Sequence, residues 1–250
     1  MIAPEFTWEA ASLGVRDHCL DLLQRERPRS VCEIGAGRSP LLSADEVDRL
    51  GLTYTLLDVS GQELAMAPDG FVRRRADICD PSVVGGEQYD FVFSIMLAEH
   101  VPDGRRMHEN VFGLLRPGGL AFHFFPTLYT PVFVLNRLLP EALARPLLDR
   151  FYPRGWAKFP ARYSWCRGPT ARMVARLRRI GFQIEEFRPF YGTGYLEKVP
   201  LIGPIDRRFT SWAATRRVPH LTSYVFLTLR RPGGSGNLRD NAHTIERGVG

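Results

Sequence analysis

The sequence predicts an α/β fold built on a mostly parallel sheet. Short apolar segments alternate with amphipathic helical segments along the first half of the chain. The clearest unit is Val31–Pro40, in which an apolar strand leads into a turn that contains Gly35 and Gly37. Glycine permits a sharp turn and a close approach of a ligand to the backbone. At 250 residues the chain is long enough for one such domain.

The turn favours a cofactor that carries an amino acid and a ribose over a dinucleotide. A dinucleotide fingerprint requires G-x-G-x-x-G, and position 40 is proline instead of the third glycine. Glu33 precedes the turn inside the apolar strand, where an unpaired carboxylate costs several kcal/mol. We therefore expect Glu33 to face a positive group or hydrogen-bond donors near the carboxyl end of the strand.

The remaining elements follow from periodicity and from capping residues. A first helix is predicted over 7–27 because apolar residues recur at helical spacing and Pro28 follows. Further helices are predicted over 43–50, 104–115 and 170–180, and strands over 53–57, 71–75, 89–94, 120–125, 182–189 and 221–229. The stretch 190–220 is read as an insertion between the last two strands.

The motifs between residues 28 and 125 resemble those of the class I S-adenosylmethionine-dependent methyltransferases. Glu33 precedes Gly35 and Gly37, although Ser39 stands where the last glycine of the family motif usually sits. A strand, Glu99-His100, a helix and Pro-Gly-Gly at 117–119 then follow in the order of a small-molecule subgroup. The resemblance implies a Rossmann-like, doubly wound, mostly parallel seven-stranded sheet with an antiparallel last strand, and S-adenosyl-L-methionine as cofactor.

The resemblance also implies which residues hold this cofactor. Glu33, Gly35, Ala36 and Gly37 would surround its amino-acid end, with Glu33 orienting that end through backbone or water. Asp58 would accept the ribose hydroxyls, because it ends a strand 21 residues after Gly37; the alternative is a helix cap for 60–66. Asp77 would hold the adenine amino group, Ile78 would pack on the ring, and Ser94–His100 would flank the methyl group. Asp80 is a rival to Asp77, but the adjacent Pro81 indicates a turn.

Two histidines each have two interpretations. His100 follows the fourth strand, where it could take a proton from an acceptor hydroxyl as general base, or could order the loop instead. His123 alternates with phenylalanines on the fifth strand and could be a hydrogen-bonded strand residue or an acceptor contact. Together with Tyr129, Tyr163 and Trp165, His123 forms the predicted acceptor-binding set.

The segment 126–168 is predicted to be an acceptor lid, inserted within one domain that spans 1–231 and precedes a flexible tail at 232–250. It is rich in aromatic residues and prolines, and leucines from Leu135 to Leu147 recur at every fourth position. Arginines interleave with this apolar stripe. The stripe could pack on the domain, or it could lie on a membrane surface or hold a lipid tail.

Charge divides the chain unequally and bears on the acceptor. Residues 1–125 carry 12 arginines against 19 acidic residues, a net charge of −7, whereas 126–250 carry 21 basic and 8 acidic residues, a net charge of +13. A small acceptor that is bulky, partly apolar and anionic, such as a lipid-linked or glycosylated molecule, would suit the second half. The alternatives are an RNA or DNA methyltransferase and a cofactor-binding protein without catalysis. Ser-Ile-Met-Leu at 94–97 argues against base methylation, because those enzymes carry Asn/Asp-Pro-Pro-Tyr there.

Other classes find no support in the sequence. The four cysteines are widely spaced, so neither a metal site nor a disulfide framework is predicted and a reducing cytoplasm is the expected location. The amino terminus lacks signal-peptide features, and no uncharged apolar run approaches the roughly 18 residues of a membrane span. Peripheral contact with a membrane remains an expectation from the basic second half, and the oligomeric state is left open.

Overall fold

A computed structural model describes residues 6–128, 161–193 and 202–233. Most of the predicted lid insertion lies outside the described residues, including Tyr129 and the leucine stripe at 135–147. The predicted tail also lies outside them, apart from its first two residues.

Seven strands form one sheet in the order β3-β2-β1-β4-β5-β7-β6. The strands are β1 (Ser30–Ile34), β2 (Thr53–Asp58), β3 (Val72–Arg75), β4 (Tyr89–Ile95), β5 (Leu115–Pro126), β6 (Gln183–Phe190) and β7 (Tyr224–Arg230). Strands β1 to β5 pair in parallel, and β7 runs antiparallel to both β5 and β6. The predicted Rossmann-like sheet with its antiparallel last strand is confirmed.

Most of the helices begin after a residue whose side chain caps the first turn. The helices are α1 (Trp8–Glu26), α2 (Ala44–Leu50), α3 (Gly61–Ala65), α4 (Gly104–Leu114), α5 (Ala171–Ile180) and α6 (Ile202–Thr215). Thr7, Ser43, Ser60, Asp103 and Thr170 each accept a backbone N–H as N-cap residues. Such side-chain acceptors satisfy donors that the first turn leaves unpaired.

Helices cover both faces of the sheet, as the apolar character of its strands requires. Helices α1, α2 and α3 pack with Val31, Leu56 and Phe93 on one face. Helices α4 and α5 pack with Cys32, Val92 and other strand residues on the opposite face. The sheet is therefore buried between two helical layers, and functional groups must project from its edges.

The predicted start of β5 was wrong. The double glycine at 118–119 does not precede β5 but lies within it, at an irregularity in the pairing with β4. A Cβ on Gly119 would lie 2.9–3.2 Å from three backbone carbonyl oxygens, so glycine permits this bulge. In the inserted stretch 190–220, helix α6 occupies Ile202–Thr215, an element that the sequence analysis did not predict.

Candidate functional site

The candidate site lies at the carboxyl edge of the parallel strands, where β1 and β4 are neighbours. From this point the chain continues toward β2 and β3 on one side and toward β5 on the other. Adjacent parallel strands with connections leading in opposite directions leave a crevice at their carboxyl ends. The predicted cofactor residues follow β1, β2 and β3 and therefore lie along one continuous edge.

The glycine turn after β1 adopts a conformation that requires glycine at two positions. Gly35 and Gly37 have φ angles of 78° and 53°, in the left-handed region. A Cβ on Gly35 would lie 2.7 Å from Cδ1 of Leu97, in the loop after β4. A Cβ on Gly37 would lie 3.7 Å from Oδ2 of Asp58. The turn thus brings the end of β2 and the loop after β4 together, with half-buried Ala36 between the two glycines.

Glu33 is buried below this turn and is paired with donors, as its position in an apolar strand demands. Its Oε2 accepts hydrogen bonds from the Tyr54 hydroxyl at 2.7 Å and from the backbone N–H of Leu41 at 3.0 Å. Burial raises the pKa of Glu33 to about 7, and the bonds from Leu41 and Tyr54 oppose that rise. The carboxyl group therefore ties the segment after the turn to β2.

Asp58 ends β2 with its side chain half-buried. Its Oδ1 accepts the backbone N–H of Ser60 at 2.8 Å, and Ser60 itself is the N-cap of α3. Asp58 therefore shapes the turn before the helix while Oδ2 lies toward Gly37. The alternative role predicted for Asp58 was that of a helix cap, and Ser60 supplies that cap instead.

Asp77 and Ile78 follow β3 in a loop that α4 holds from behind. Asp77 is exposed and its Oδ1 accepts the backbone N–H of Cys79, while Ile78 is 5% exposed within the core. Nδ2 of Asn110 donates to the carbonyl oxygens of Ile78 at 2.7 Å and Asp80 at 3.0 Å. Asp80 caps the short 3-10 helix Pro81–Val84, which confirms its predicted turn role.

Asn110 makes side-chain contacts with the Asp77 loop that the sequence did not indicate. It is buried on the inner face of α4, where its spacing matches that of core residues and gives no sign of a polar role. A buried amide is a signal in itself, because such a group must find partners. Its two backbone contacts lock the loop that carries Asp77.

Ser94 and His123 form a buried pair across β4 and β5. The two residues are register partners, and the Ser94 hydroxyl lies 2.8 Å from Nδ1 of His123. His108, on α4, meets His123 edge to face with ring centroids 5.5 Å apart. Burial lowers the pKa of His108 to about 4, and burial together with His108 lowers that of His123 well below its ordinary value. Both imidazoles are therefore neutral at physiological pH.

This arrangement matches the first interpretation of His123, a hydrogen-bonded strand residue. It is 0% exposed, as is required of a residue sandwiched between two strands and a helix. Among the described residues, Nδ1 of His108 and Nε2 of His123 have no hydrogen-bond partner. The side chain of Ser94 likewise lies in the sheet face below α4 and is 1% exposed.

The loop after β4 combines a strained residue with an acidic residue and a histidine. Met96 has a φ of 52° and is 42% exposed, which is costly for a side chain of this size. Nε2 of His100 lies 3.7 Å from Oε1 of Glu99. Burial raises the pKa of Glu99 to about 8, so this carboxyl group is largely protonated at neutral pH. His100 is partly exposed beside it.

Tyr163 and Trp165 lie in the segment 161–168, which packs against α4 and the loop after β4. The carbonyl oxygen of Glu99 accepts the backbone N–H of Tyr163 at 3.0 Å, and Tyr163 is 9% exposed. Trp165 lies 6.1 Å from the His108 ring and beneath the Arg176 guanidinium at 5.0 Å. The structure thus brings Tyr163 next to the Glu99-His100 loop and Trp165 next to the buried histidines.

The described part of the chain offers neither a metal cluster nor a membrane-spanning helix. Among residues 6–128, 161–193 and 202–233, no group of three or more histidine, cysteine or acidic side chains could hold a metal ion. No helix in these same ranges has the length and apolar character to cross a bilayer.

The fold and the edge site define a Rossmann-like protein of the kind that binds a nucleoside cofactor at a switch point. A family model described as "Methyltransferase domain" matches residues 8–186. The chain belongs to the class I S-adenosylmethionine-dependent methyltransferase family, and its cofactor is S-adenosyl-L-methionine. A search of curated proteins found no match.

Solved structures share the fold at low sequence identity. The [4+2]-cyclase SpnF is 16% identical with a TM-score of 0.54, over 91% of this chain and 83% of SpnF. The N-methyltransferase NodS of Bradyrhizobium japonicum WM9, solved with S-adenosyl-L-homocysteine, is 13% identical with a TM-score of 0.50, over 87% of this chain and 86% of NodS. At these identities the likeness concerns the fold, not the substrate.

Proposed function

We propose that this protein transfers the methyl group of S-adenosyl-L-methionine to a small, amphiphilic acceptor that is lipid-linked or glycosylated. The observation that carries the proposal is the convergence of Gly37, Asp58 and Leu97 on one turn at the switch point. Gly35 and Gly37 let the backbone turn sharply at the end of β1, and the Asp58 carboxylate lies at the end of the neighbouring strand β2. These features fit a nucleoside with an amino-acid arm.

In this proposal Gly35, Ala36 and Gly37 cradle the amino-acid end of the cofactor. Asp58 accepts the ribose hydroxyls, and Asp77 holds the adenine amino group. Ile78 would pack on the ring only with the small part of its side chain that the core leaves exposed. Glu33 acts at one remove, because its Oε2 is already engaged by Tyr54 and Leu41 and so fixes the turn that receives the ligand. Ser94 acts similarly through its bond to His123.

Methyl transfer from a sulfonium is an in-line displacement, so the cofactor supplies the electrophile and the protein aligns the reactants. Orientation and exclusion of water contribute most of the catalysis in such a reaction. His100 is the candidate base, since it is partly exposed beside the buried Glu99. Tyr163 contacts this loop through its backbone, and we assign Tyr163, Trp165 and Tyr129 to the acceptor side. His123 is buried against Ser94 and His108 and supports this side from within the sheet.

The choice of an amphiphilic small acceptor rests on the composition of the second half of the chain. Its net charge of +13 and its aromatic residues suit an anionic head joined to an apolar body. The alternative is a protein that binds the cofactor for another purpose. The similarity of the fold to that of the [4+2]-cyclase SpnF motivates this alternative. Production of S-adenosylhomocysteine separates the two.

Calorimetric titration with S-adenosyl-L-methionine tests the site. Asp58→Ala should weaken binding by at least about a hundredfold, because two charge-assisted hydrogen bonds to the ribose are lost. Asp45→Ala, a change on the exposed first turn of α2, is the matched control and should bind as the wild type does. Unchanged affinity in a folded Asp58→Ala protein would refute the ribose assignment.

A further inference from the structure

Helix α6 carries an apolar stripe that faces solvent. Its four large apolar side chains recur at positions i, i+3, i+7 and i+10 and are exposed by 38–67%; they are Ile202, Ile205, Phe209 and Trp212. This spacing places them on one side of a helix. Burial of α6 against the domain involves other positions, Gly203, Thr210 and Ala213. The stripe is thus not the face that attaches the helix to the domain.

Basic side chains accompany the stripe. Arg208 and Arg216 are exposed beside it and at its carboxyl-terminal end, and the backbone N–H of Arg216 continues the helical pattern by donating to Trp212. Neither arginine forms a salt bridge to any residue within the described ranges. Asp206 is the one acidic residue in α6, and it is half-buried. The surface therefore combines apolar side chains with unneutralised positive charge.

We propose that α6 lies on an anionic membrane surface. Ile202, Ile205, Phe209 and Trp212 would enter the boundary between headgroups and acyl chains, and Arg208 and Arg216 would bind anionic headgroups. An apolar helix face bordered by arginines, with a tryptophan among the apolar residues, has the composition of an interfacial helix. The element differs from the leucine stripe at 135–147, for which the sequence alone suggested membrane contact.

The charged and apolar side chains of this surface favour a bilayer over a second copy of the chain or a nucleic acid. A second copy of the chain related by a two-fold axis would bring the same arginines toward each other across the interface. A nucleic acid could pair with the arginines and stack on Phe209 or Trp212, but it would offer nothing to two exposed isoleucines. An anionic bilayer satisfies the cations and the aliphatic side chains together.

The location of α6 relates this surface to the active-site edge. Cγ2 of Thr210 lies 3.1 Å from where a Cβ on Gly192 would stand, just beyond the end of β6. Phe190, at that end, aligns through β7 with Pro126 at the carboxyl end of β5. The membrane helix thus lies at the same edge of the sheet as the cofactor site. An acceptor embedded in a bilayer would reach that edge without leaving the lipid surface, a step that rests on the proposed function.

Co-sedimentation of the full chain with vesicles tests the proposal. The wild type should bind equimolar phosphatidylcholine and phosphatidylglycerol vesicles and should bind pure phosphatidylcholine vesicles far less. Ile205→Glu/Trp212→Glu should lower partitioning by at least about tenfold, because two inserted side chains become charged. Leu13→Glu is the matched control, since Leu13 is 81% exposed on α1, and it should bind as the wild type does.

A second variant separates charge from insertion and does not depend on the first. Arg208→Ala/Arg216→Ala should lose binding to anionic vesicles and flatten its dependence on salt. The proposal would be overturned if the wild type bound neutral and anionic vesicles equally well. It would also be overturned if either double variant bound anionic vesicles as well as the wild type does. Sedimentation velocity that shows a wild-type dimer, dissociated by Ile205→Glu/Trp212→Glu, would also overturn it.

Cofactor titration keeps this test distinct from that of the proposed function. Ile205→Glu/Trp212→Glu should bind S-adenosyl-L-methionine as the wild type does, because α6 contributes none of the predicted cofactor residues. A wild type that binds vesicles but not the cofactor would refute the proposed function and leave the membrane assignment supported.

Discussion

The sheet edge has two halves that are built in different ways. The proposed cofactor half lies at the ends of β1, β2 and β3, and the proposed acceptor half lies at the ends of β4 and β5 with the segment 161–168 beside them. In the cofactor half, Gly35, Asp58 and Asp77 each follow a strand by one or two residues or end it, and neighbouring strands align them. In the acceptor half, the contacts join segments that are distant in sequence, such as Gly104 with Ser164 and β5 with β7. The first half depends on local signals, whereas the second depends on how separate segments pack.

The strongest loss of stability is expected in the acceptor half, at Gly104. Gly104→Ala would place a Cβ 2.1 Å from the backbone carbonyl oxygen of Ser164, which cannot rotate away. We expect a loss of at least about 3 kcal/mol in the free energy of unfolding by urea. Gly14→Ala is the control, because nothing lies within 4 Å of its added Cβ and α1 should gain up to about 1 kcal/mol. Equal stability of the two variants would contradict the close packing of 161–168 on α4.

In the cofactor half, the free energy of unfolding should depend on pH through Glu33. The pKa of Glu33 is about 7 when folded against an ordinary value of 4.5, so the folded state holds this proton more tightly. Its contribution to stability is complete below pH 4.5 and declines as pH rises to about 7. Glu33→Gln keeps an acceptor for Tyr54 and Leu41 and should remove up to about 3 kcal/mol of this decline.

Urea unfolding across this pH range measures the difference between the two proteins. Tyr54→Phe is an opposing control, because the Tyr54 hydroxyl bond lowers the pKa of Glu33 and its loss should steepen the decline. Parallel profiles for the wild type and Glu33→Gln would show that the ionisation of Glu33 is not linked to folding.

The smallest effect tests how α4 supports the cofactor half from behind. Asn110→Ala leaves the carbonyl oxygens of Ile78 and Asp80 without their donor and should cost about 2 kcal/mol. Because the Asp77 loop is then less restrained, we also expect about a tenfold loss of cofactor affinity by calorimetry. Gln88→Ala removes an exposed bond to Gly113 and should change neither quantity appreciably. Unaltered affinity in Asn110→Ala would limit Asn110 to a structural role.

Prediction from sequence succeeded where a signal is local. The α1 boundaries followed from periodicity and from Pro28, and the α5 boundaries followed from Pro169 before the helix and Gly181 after it. The structure shows Thr170 and Gly181 as the caps of α5. Asp58 was singled out by its position at a strand end, and Asp77 by the resemblance to the methyltransferase family. The apolar residues of α6 also recur at helical spacing in the sequence, but 190–220 was predicted only as an insertion without a helix.

Tertiary structure decided the features that depend on two segments meeting. Asn110 and His108 read as ordinary helix positions, and only the docking of α4 gives one its carbonyl partners and the other its histidine neighbour. The bulge at Gly119 required knowledge of the β4 carbonyls opposite it.

Local sequence is sufficient for the glycine turn, the acidic strand ends and the helix caps, because each depends on the conformation of a few consecutive residues. The structure alone decided that Glu33 is held by Tyr54, that Ser94 faces His123, and that the stripe on α6 lies outside the core. Side-chain partners and exposure are properties of packing between distant segments, and no local pattern encodes them.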